Sequence, residues 1–191
     1  MEAGHVVKLP AASTIADGTA VLEPGDLVYP YVRDNVDEII TVEDEELIVS
    51  FLDMVENHKM VVENSGLLTV AALKHLPPEN KRVVSILSGG NMDVITMSSV
   101  VQHGLIQRGR IFTVCVLLPD RPGMLLSVAS IIARENGNVI KLEHNQFVST
   151  NRNAAVELRV TIEAFGEDHK RQIVDALEAG GFDPSIVQTS L

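Results

Sequence analysis

The sequence predicts an α/β part over residues 1–92 and an α+β domain over 111–190 with the element order β-α-β-β-α-β, joined by a linker helix over 93–110. Three observations carry this. Ile111–Leu118 is apolar at nearly every position and runs through Asp120-Arg121-Pro122-Gly123 into a helical stripe. Val156, Leu158, Val160, Ile162 and Ala164 alternate with Glu157, Arg159, Thr161 and Glu163, the period of a half-buried strand. Upstream, strand-prone runs alternate with helical stripes, which implies layers of helix on sheet with some parallel strands.

The first part opens on residues 1–24, which have little periodicity and hold the turn signals Asp17-Gly18 and Pro24-Gly25. A short helix is expected within 26–36, then a strand over Ile39–Val42. Thr41 with Asp44 fits a capping box, followed by the stripe Leu47, Ile48, Phe51, Leu52 and Val55. The acids Glu43 to Glu46 fall in that helix's first turn, where the dipole favours them. Val61-Val62 is a strand candidate, and Leu67–Leu76 an apolar helix ended by Pro77-Pro78. Arg82–Leu87 is expected as a strand, Ser88-Gly89-Gly90-Asn91 as a tight turn, and Met92–Gln107 as a helix. So few strands make a thin sheet, and an incomplete core is expected for this part.

In the second part Ile111–Leu118 suits a strand covered on both faces. Asp120 is expected to cap the next helix with Pro122 in its first turn, and Leu125, Val128, Ala129 and Ile132 form its buried face until Asn136-Gly137. Val139–Phe147 and Ala155–Ala164 are the middle strands, joined by a polar hairpin loop over Ser149–Asn153. Asp168–Ala179 is a helix burying Ile173, Ala176 and Leu177, and Ile186-Val187 a last strand. This is the ferredoxin-like split motif, a four-stranded antiparallel sheet with both helices on one side. The other side, with Thr113 and Cys115 among apolar neighbours, invites a second copy, so a homo-oligomer is expected.

Composition narrows the classes. Hydrophobic content of 46% with 21% charged residues is that of a globular chain, and the net charge of −11 is uneven. Residues 1–91 hold 6 basic and 15 acidic side chains, residues 92–191 hold 9 and 11. Nucleic acid is not an expected partner, since phosphates call for clustered Lys and Arg. No apolar run has the length of a membrane span and the N-terminus has no signal-peptide core, so no membrane partner and a cytoplasmic location are expected. The single cysteine, Cys115, sits in an apolar strand and reads as a small buried hydrophobe. The six histidines have no metal-ligand spacing. By themselves Ser88-Gly89-Gly90 and Asp120–Gly123 read as ordinary strand-to-helix turns, and His144 as a partly buried histidine.

Two resemblances add to this. The stretch from Ile111 to about Thr189, through Asp120-Arg121-Pro122-Gly123-Met124-Leu125, resembles an ACT domain, a small amino-acid-sensing module. Thr14-Ile15-Ala16-Asp17-Gly18, Pro24-Gly25-Asp26-Leu27, Val61-Val62-Glu63 and Leu87-Ser88-Gly89-Gly90-Asn91 resemble the end of the catalytic domain of the threonine ammonia-lyase (threonine dehydratase) family. That family uses pyridoxal phosphate to deaminate threonine to 2-oxobutanoate and ammonia, a step of isoleucine biosynthesis. The fold implied is an α/β remnant of a pyridoxal-phosphate-dependent catalytic domain followed by an α+β ferredoxin-like ACT domain.

The resemblance implies site residues. Ser88 would bond the pyridine nitrogen of the cofactor, Gly89 and Gly90 would let the backbone approach it, and Glu63 would stand behind them. A hydroxyl partner suits β-elimination, which does not need a fully protonated ring. Asp120, Pro122, Gly123 and Met124, with His144 and Asn145, would receive an amino-acid effector, isoleucine or valine by the family's habit, its carboxylate meeting backbone N–H groups. Asp17 and the Ala16 carbonyl lie where some relatives bind a divalent cation, but Ser13 stands in place of an acid, so no metal is expected. The family's aldimine lysine, in a Ser-x-Lys-x-Arg setting, and its glycine-rich phosphate loop are absent, so the chain alone is expected to be catalytically inactive and to bind no cofactor. By this resemblance it is expected to be the last part of a longer enzyme; the other reading is a free-standing amino-acid-binding regulator.

Overall fold

A computed structural model describes residues 3–77, 82–146 and 156–190. The chain divides into two units, Met1–Gly104 and Leu105–Leu191.

The first unit is built of helices. A 3₁₀ turn at Asp17–Thr19 precedes α1 (Tyr29–Asn35), with Pro30 in its first turn, and α2 (Asp44–Asp53). A π turn over Met54–His58 extends α2 and ends at Lys59 in the left-handed region (φ 58°). The expected helix over 67–76 is a composite: a 3₁₀ turn at Asn64–Leu67, α3 (Leu68–Ala71), and a second 3₁₀ turn at Ala72–His75. Helix α4 (Val94–Gln107) follows residues 88–93 and extends past Gly104, the last residue of this unit. Leu47, Phe51, Leu67, Ala71 and Val100 form the centre of the buried core.

Two sequence expectations for this unit change. The capping box of α2 is Glu43 with Glu46, not Thr41 with Asp44. The Glu46 carboxylate accepts the Glu43 N–H at 2.9 Å. Asp44 is used elsewhere: its carboxylate accepts the Thr14 hydroxyl at 2.5 Å and the Ile15 N–H at 3.1 Å, tying the segment before Asp17 to the start of α2. The strand-prone runs 39–42, 61–62 and 82–87 form no ladder among the described residues. Strand propensity records a fit to a half-buried pleated surface, and without a neighbour such a run stays extended but unpaired. Ile39, Val84 and Ile86 are accordingly exposed.

The second unit is the expected split motif. Strands β1 (Ile111–Leu118), β2 (Asn138–Asn145), β3 (Val156–Glu163) and β4 (Pro184–Val187) form one sheet in the order β2-β3-β1-β4. Every pairing is antiparallel. Helices α5 (Met124–Arg134) and α6 (Glu167–Ala179) bury Val128, Ile131, Ile132, Ile173 and Leu177 against Val114, Val116, Leu158, Val160 and Ile162. The hairpin loop expected over Ser149–Asn153, with Phe147 and Ala155, lies outside the described residues.

The helix start differs from expectation. Asp120 does not cap α5 and Pro122 lies before it; the N-cap is Gly123 at φ +92°, with no side-chain cap bond. The chain turns instead through backbone bonds, Arg121 N–H to the Pro119 carbonyl at 2.8 Å and Ser127 N–H to that of Gly123 at 3.0 Å. The buried stripe of α5 is Met124, Val128, Ile131 and Ile132, and Leu125 is 38% exposed. On β1 the outer parity is not an open apolar face: Thr113 is buried with Thr161, their hydroxyls 2.9 Å apart. Cys115 is half-buried rather than part of the core. Burial raises its thiol pKa, and the neighbouring Glu157 adds to that.

Candidate functional site

In the first unit the segments 61–66 and 88–91 meet at Glu63, and 88–91, expected as a tight turn, is irregular with no turn assigned. The Glu63 N–H donates to the Gly89 carbonyl at 3.1 Å and the Glu63 carboxylate accepts the Asn91 N–H at 3.1 Å. One residue thus holds both sides of this stretch. A Cβ on Gly89 would overlap the Glu63 carboxylate, and a Cβ on Gly90 would stand 3.2 Å from the Val61 carbonyl. Ser88 is exposed, and none of the hydrogen bonds among the described residues uses its hydroxyl. The structure therefore brings Glu63, Ser88, Gly89 and Gly90 together.

Beside it lies a cleft of about 420 Å³, walled by Asp17, Glu63, Asn64, Asn91, Asp93 and Thr96 among others, a volume that suits a small-molecule ligand. Asn64 is 5% exposed; its amide donates to the Ile15 carbonyl at 2.9 Å, while its Oδ1 is buried with no partner. Sequence reasoning missed Asn64; a polar residue following Val61-Val62-Glu63 in an apolar setting was the available signal. Asp93 caps α4: the Thr96 hydroxyl, ahead of the Thr96 and Ile95 amides, holds its carboxyl below the ordinary value. No lysine lines this cleft among the described residues.

The second unit has a cleft of about 290 Å³ between the loop after β1 and the end of β2. It gathers Asp120, Pro122, Gly123 and Met124 with His144, a residue far from them in sequence. The antiparallel ladder does this: His144 pairs with Leu158 on the helix-side face, at the end of the sheet where β1 runs out. A bulge at Ile140 sets that phase, placing Val139 and Leu142 on the helix side with His144 and leaving Ile140 off that face. Asn145 is not part of the cleft; it faces the opposite side, where its amide donates to Glu157 at 3.4 Å. Gln146, one residue on, does line the cleft, as do Arg121 and Val156. No side chain caps α5; the Met124 N–H donates to the Arg121 carbonyl at 3.5 Å, and the Leu125 and Leu126 N–H groups that follow have no side-chain cap.

Residues 1–89 match the family of pyridoxal-phosphate dependent enzymes. Over 184 residues, 95% of the chain, the sequence is 34% identical to the L-threonine ammonia-lyase of Geobacter sulfurreducens, of which the match covers 46%. The L-threonine ammonia-lyase of Thermotoga maritima is 33% identical over 185 residues, 96% of this chain and 46% of that one. Over nearly its whole length the chain is similar to L-threonine ammonia-lyases. Among solved structures, the processed form of threonine deaminase isoform 2 from Solanum lycopersicum is 26% identical over 53% of this chain and 31% of its own, with a TM-score of 0.48. The chain spans about half the length of the curated relatives it matches.

Pyridoxal phosphate is the cofactor of the matched family. Glu63 and Asn91 line the cleft, and Ser88, Gly89 and Gly90 are not among its lining residues. A lysine and a phosphate cradle are not among the residues that line it.

Proposed function

We propose that this chain is the regulatory end, with part of the cofactor site, of a threonine ammonia-lyase that converts threonine to 2-oxobutanoate and ammonia. The observation that supports this most is the match to L-threonine ammonia-lyases over 95% of the chain, at only 46% of their length. In this reading Ser88 hydrogen-bonds the cofactor's ring nitrogen, Gly89 and Gly90 give the ring room, and Glu63 keeps residues 88–91 in place. When bound, pyridoxal phosphate supplies the electron sink for loss of the substrate's α-proton and β-hydroxyl. The chain's own residues only position the ring, so the isolated chain does not turn over threonine.

The second unit is read as an ACT domain, a sensor whose effector is a branched amino acid, isoleucine or valine. Its cleft has the needed parts: free helix N–H groups for a carboxylate, Arg121 beside them, and the apolar Pro122, Met124 and Val156 for an aliphatic side chain. Asn145, turned to the other side, drops out of the effector set in favour of Gln146. The unit also offers a surface for a second copy, since the edge strand β2 carries the exposed Ile140 and Leu142. A homo-oligomer joined there would close the cleft from outside.

The test is a thermal-shift series on the 191-residue chain with isoleucine, valine, threonine, serine and pyridoxal phosphate. A ligand at about 100 times its Kd stabilises by about 2.7 kcal/mol, well within detection. A shift with isoleucine or valine, lost in His144→Ala and kept in Asn145→Ala, is expected. No shift with any amino acid refutes the sensor reading, and threonine turnover by the chain alone refutes the account of the first unit.

A further inference from the structure

We propose that His169 is a pH-sensitive latch in the second unit. With its ring neutral it fastens the end of α5 to the corner 164–167, on which the end of α4 is seated; when the ring takes up a proton the corner is let go. As a regulatory device it rests on the sensor reading given above. Its first support is the pair of contacts the ring makes. The Phe165 N–H donates to His169 Nδ1 at 3.1 Å, and Nε2 stands 2.5 Å from the Glu135 carbonyl. A carbonyl only accepts, so Nε2 carries the proton and Nδ1 is bare. Two segments far apart in the chain therefore hold the ring neutral and in one tautomer.

What the ring joins gives the second support. Glu135 is the C-cap of α5, and its carbonyl falls past the last bond within the helix. The other end of α5 carries Gly123 and Met124 of the effector cleft. Phe165 belongs to the corner between β3 and α6. Beside it the Ala164 N–H donates to the Arg110 carbonyl at 2.8 Å, and a Cβ on Gly109 would stand 2.9 Å from the Glu167 Cα. Gly109, at φ +63°, closes α4: its N–H donates to the Ile106 carbonyl at 3.0 Å and the Arg110 N–H to that of Leu105 at 2.9 Å. Residues 105–110 are thus seated on the corner, and His169 ties the corner to α5.

A proton on Nδ1 turns that acceptor into a donor facing the Phe165 N–H, while the Nε2 bond to Glu135 is kept. The Phe165 bond is the one that breaks, and it is exposed, so solvent protons reach it. The charged groups on the elements that meet here are engaged: Glu135 with Gln172 at 2.8 Å, Glu163 with Asn138 at 3.0 Å, Glu167 with Lys170 at 3.0 Å and Asp168 with Arg171 at 3.6 Å, while Arg108 and Arg110 also have partners. Carboxylate, ammonium and guanidinium groups ordinarily keep their charge between about pH 5 and about pH 7.5, and an imidazole does not. His169 stands at the end of α5 and in the first turn of α6, whose dipoles act on a positive ring in opposite senses, so the hydrogen bonds decide.

Hydrogen exchange on the 191-residue chain, with no amino acid present, tests this at about pH 7.5 and about pH 5, each rate taken relative to the unfolded chain at the same pH. Protection of the Phe165 amide is expected to fall by about tenfold or more at the lower pH, with the Ala164 and Arg110 amides following and the centre of β3 unchanged. His169→Phe is expected to show the lower protection at both pH values. Equal protection at both in the parent chain overturns the proposal, as does a fall that persists in His169→Phe. Ring-nitrogen NMR of the parent decides the matter even if His169→Phe does not fold: a bare Nε2 at about pH 7.5, or a doubly protonated ring at about pH 5 with the Phe165 amide still protected, overturns it. Since no amino acid is used, failure of the latch is told apart from failure of the sensor reading, which the thermal-shift series decides.

Discussion

Thr113 and Thr161 face each other across β1 and β3 on the side away from the helices, both buried and each the other's hydroxyl partner. Removing one hydroxyl strands the other. Thr161→Val is expected to cost about 1–3 kcal/mol in urea unfolding followed by circular dichroism, and Thr113→Val/Thr161→Val to recover most of that, since two apolar groups of the same shape leave nothing unpaired. Gly89 makes a comparable argument in the first unit. Gly89→Ala pushes a methyl into the Glu63 carboxylate and is expected to lose about 1–3 kcal/mol of stability, with less than additive loss when combined with Glu63→Ala. The residue types at both places were visible in the sequence. Their partners were not, because 48 residues separate the threonines and a period-2 pattern assigns faces without naming the neighbour across the ladder.

Among the elements, α4 and α5 begin in opposite ways. Helix α4 has a side-chain cap, and its Asp93 carboxyl is held below the ordinary value of 3.8 by the Thr96 hydroxyl and the first-turn amides. A carboxyl lowered on folding contributes stability that is present above its unfolded value and is lost as the pH falls through the folded one. Asp93→Ala is therefore expected to lower the melting temperature at neutral pH, and the gap to the parent chain to close as the pH drops below about 4. Helix α5 has a backbone start at Gly123, φ +92°, where Gly123→Ala is expected to cost about 1–2 kcal/mol and to weaken any ligand held by the first-turn N–H groups. Asp120 has the residue type and spacing of a cap. The chain uses Gly123 instead because a left-handed residue turns β1 into α5 over so few positions.

Across the whole molecule the two units differ in how far they satisfy themselves. The second unit pairs all four strands and buries the inward side of β1 and β3. The first leaves Leu27, Val84 and Ile86 largely exposed. In rising urea, exchange protection is accordingly expected to vanish first over residues 3–104 and to persist over 105–190; simultaneous loss would show that the units unfold as one. The β-α-β-β-α-β order and the helix carrying Leu47 and Phe51 were determined by the sequence alone, because periods of 2 and 3.6 are local properties. Tertiary structure decided the rest. It set Glu63 on residues 88–91, used a bulge at Ile140 to send His144 toward the loop at 120–124 and Asn145 away from it, and left the strand-prone run 82–87 unpaired. Pairing and cleft formation depend on groups far apart in the chain, and no local pattern records which distant group will arrive.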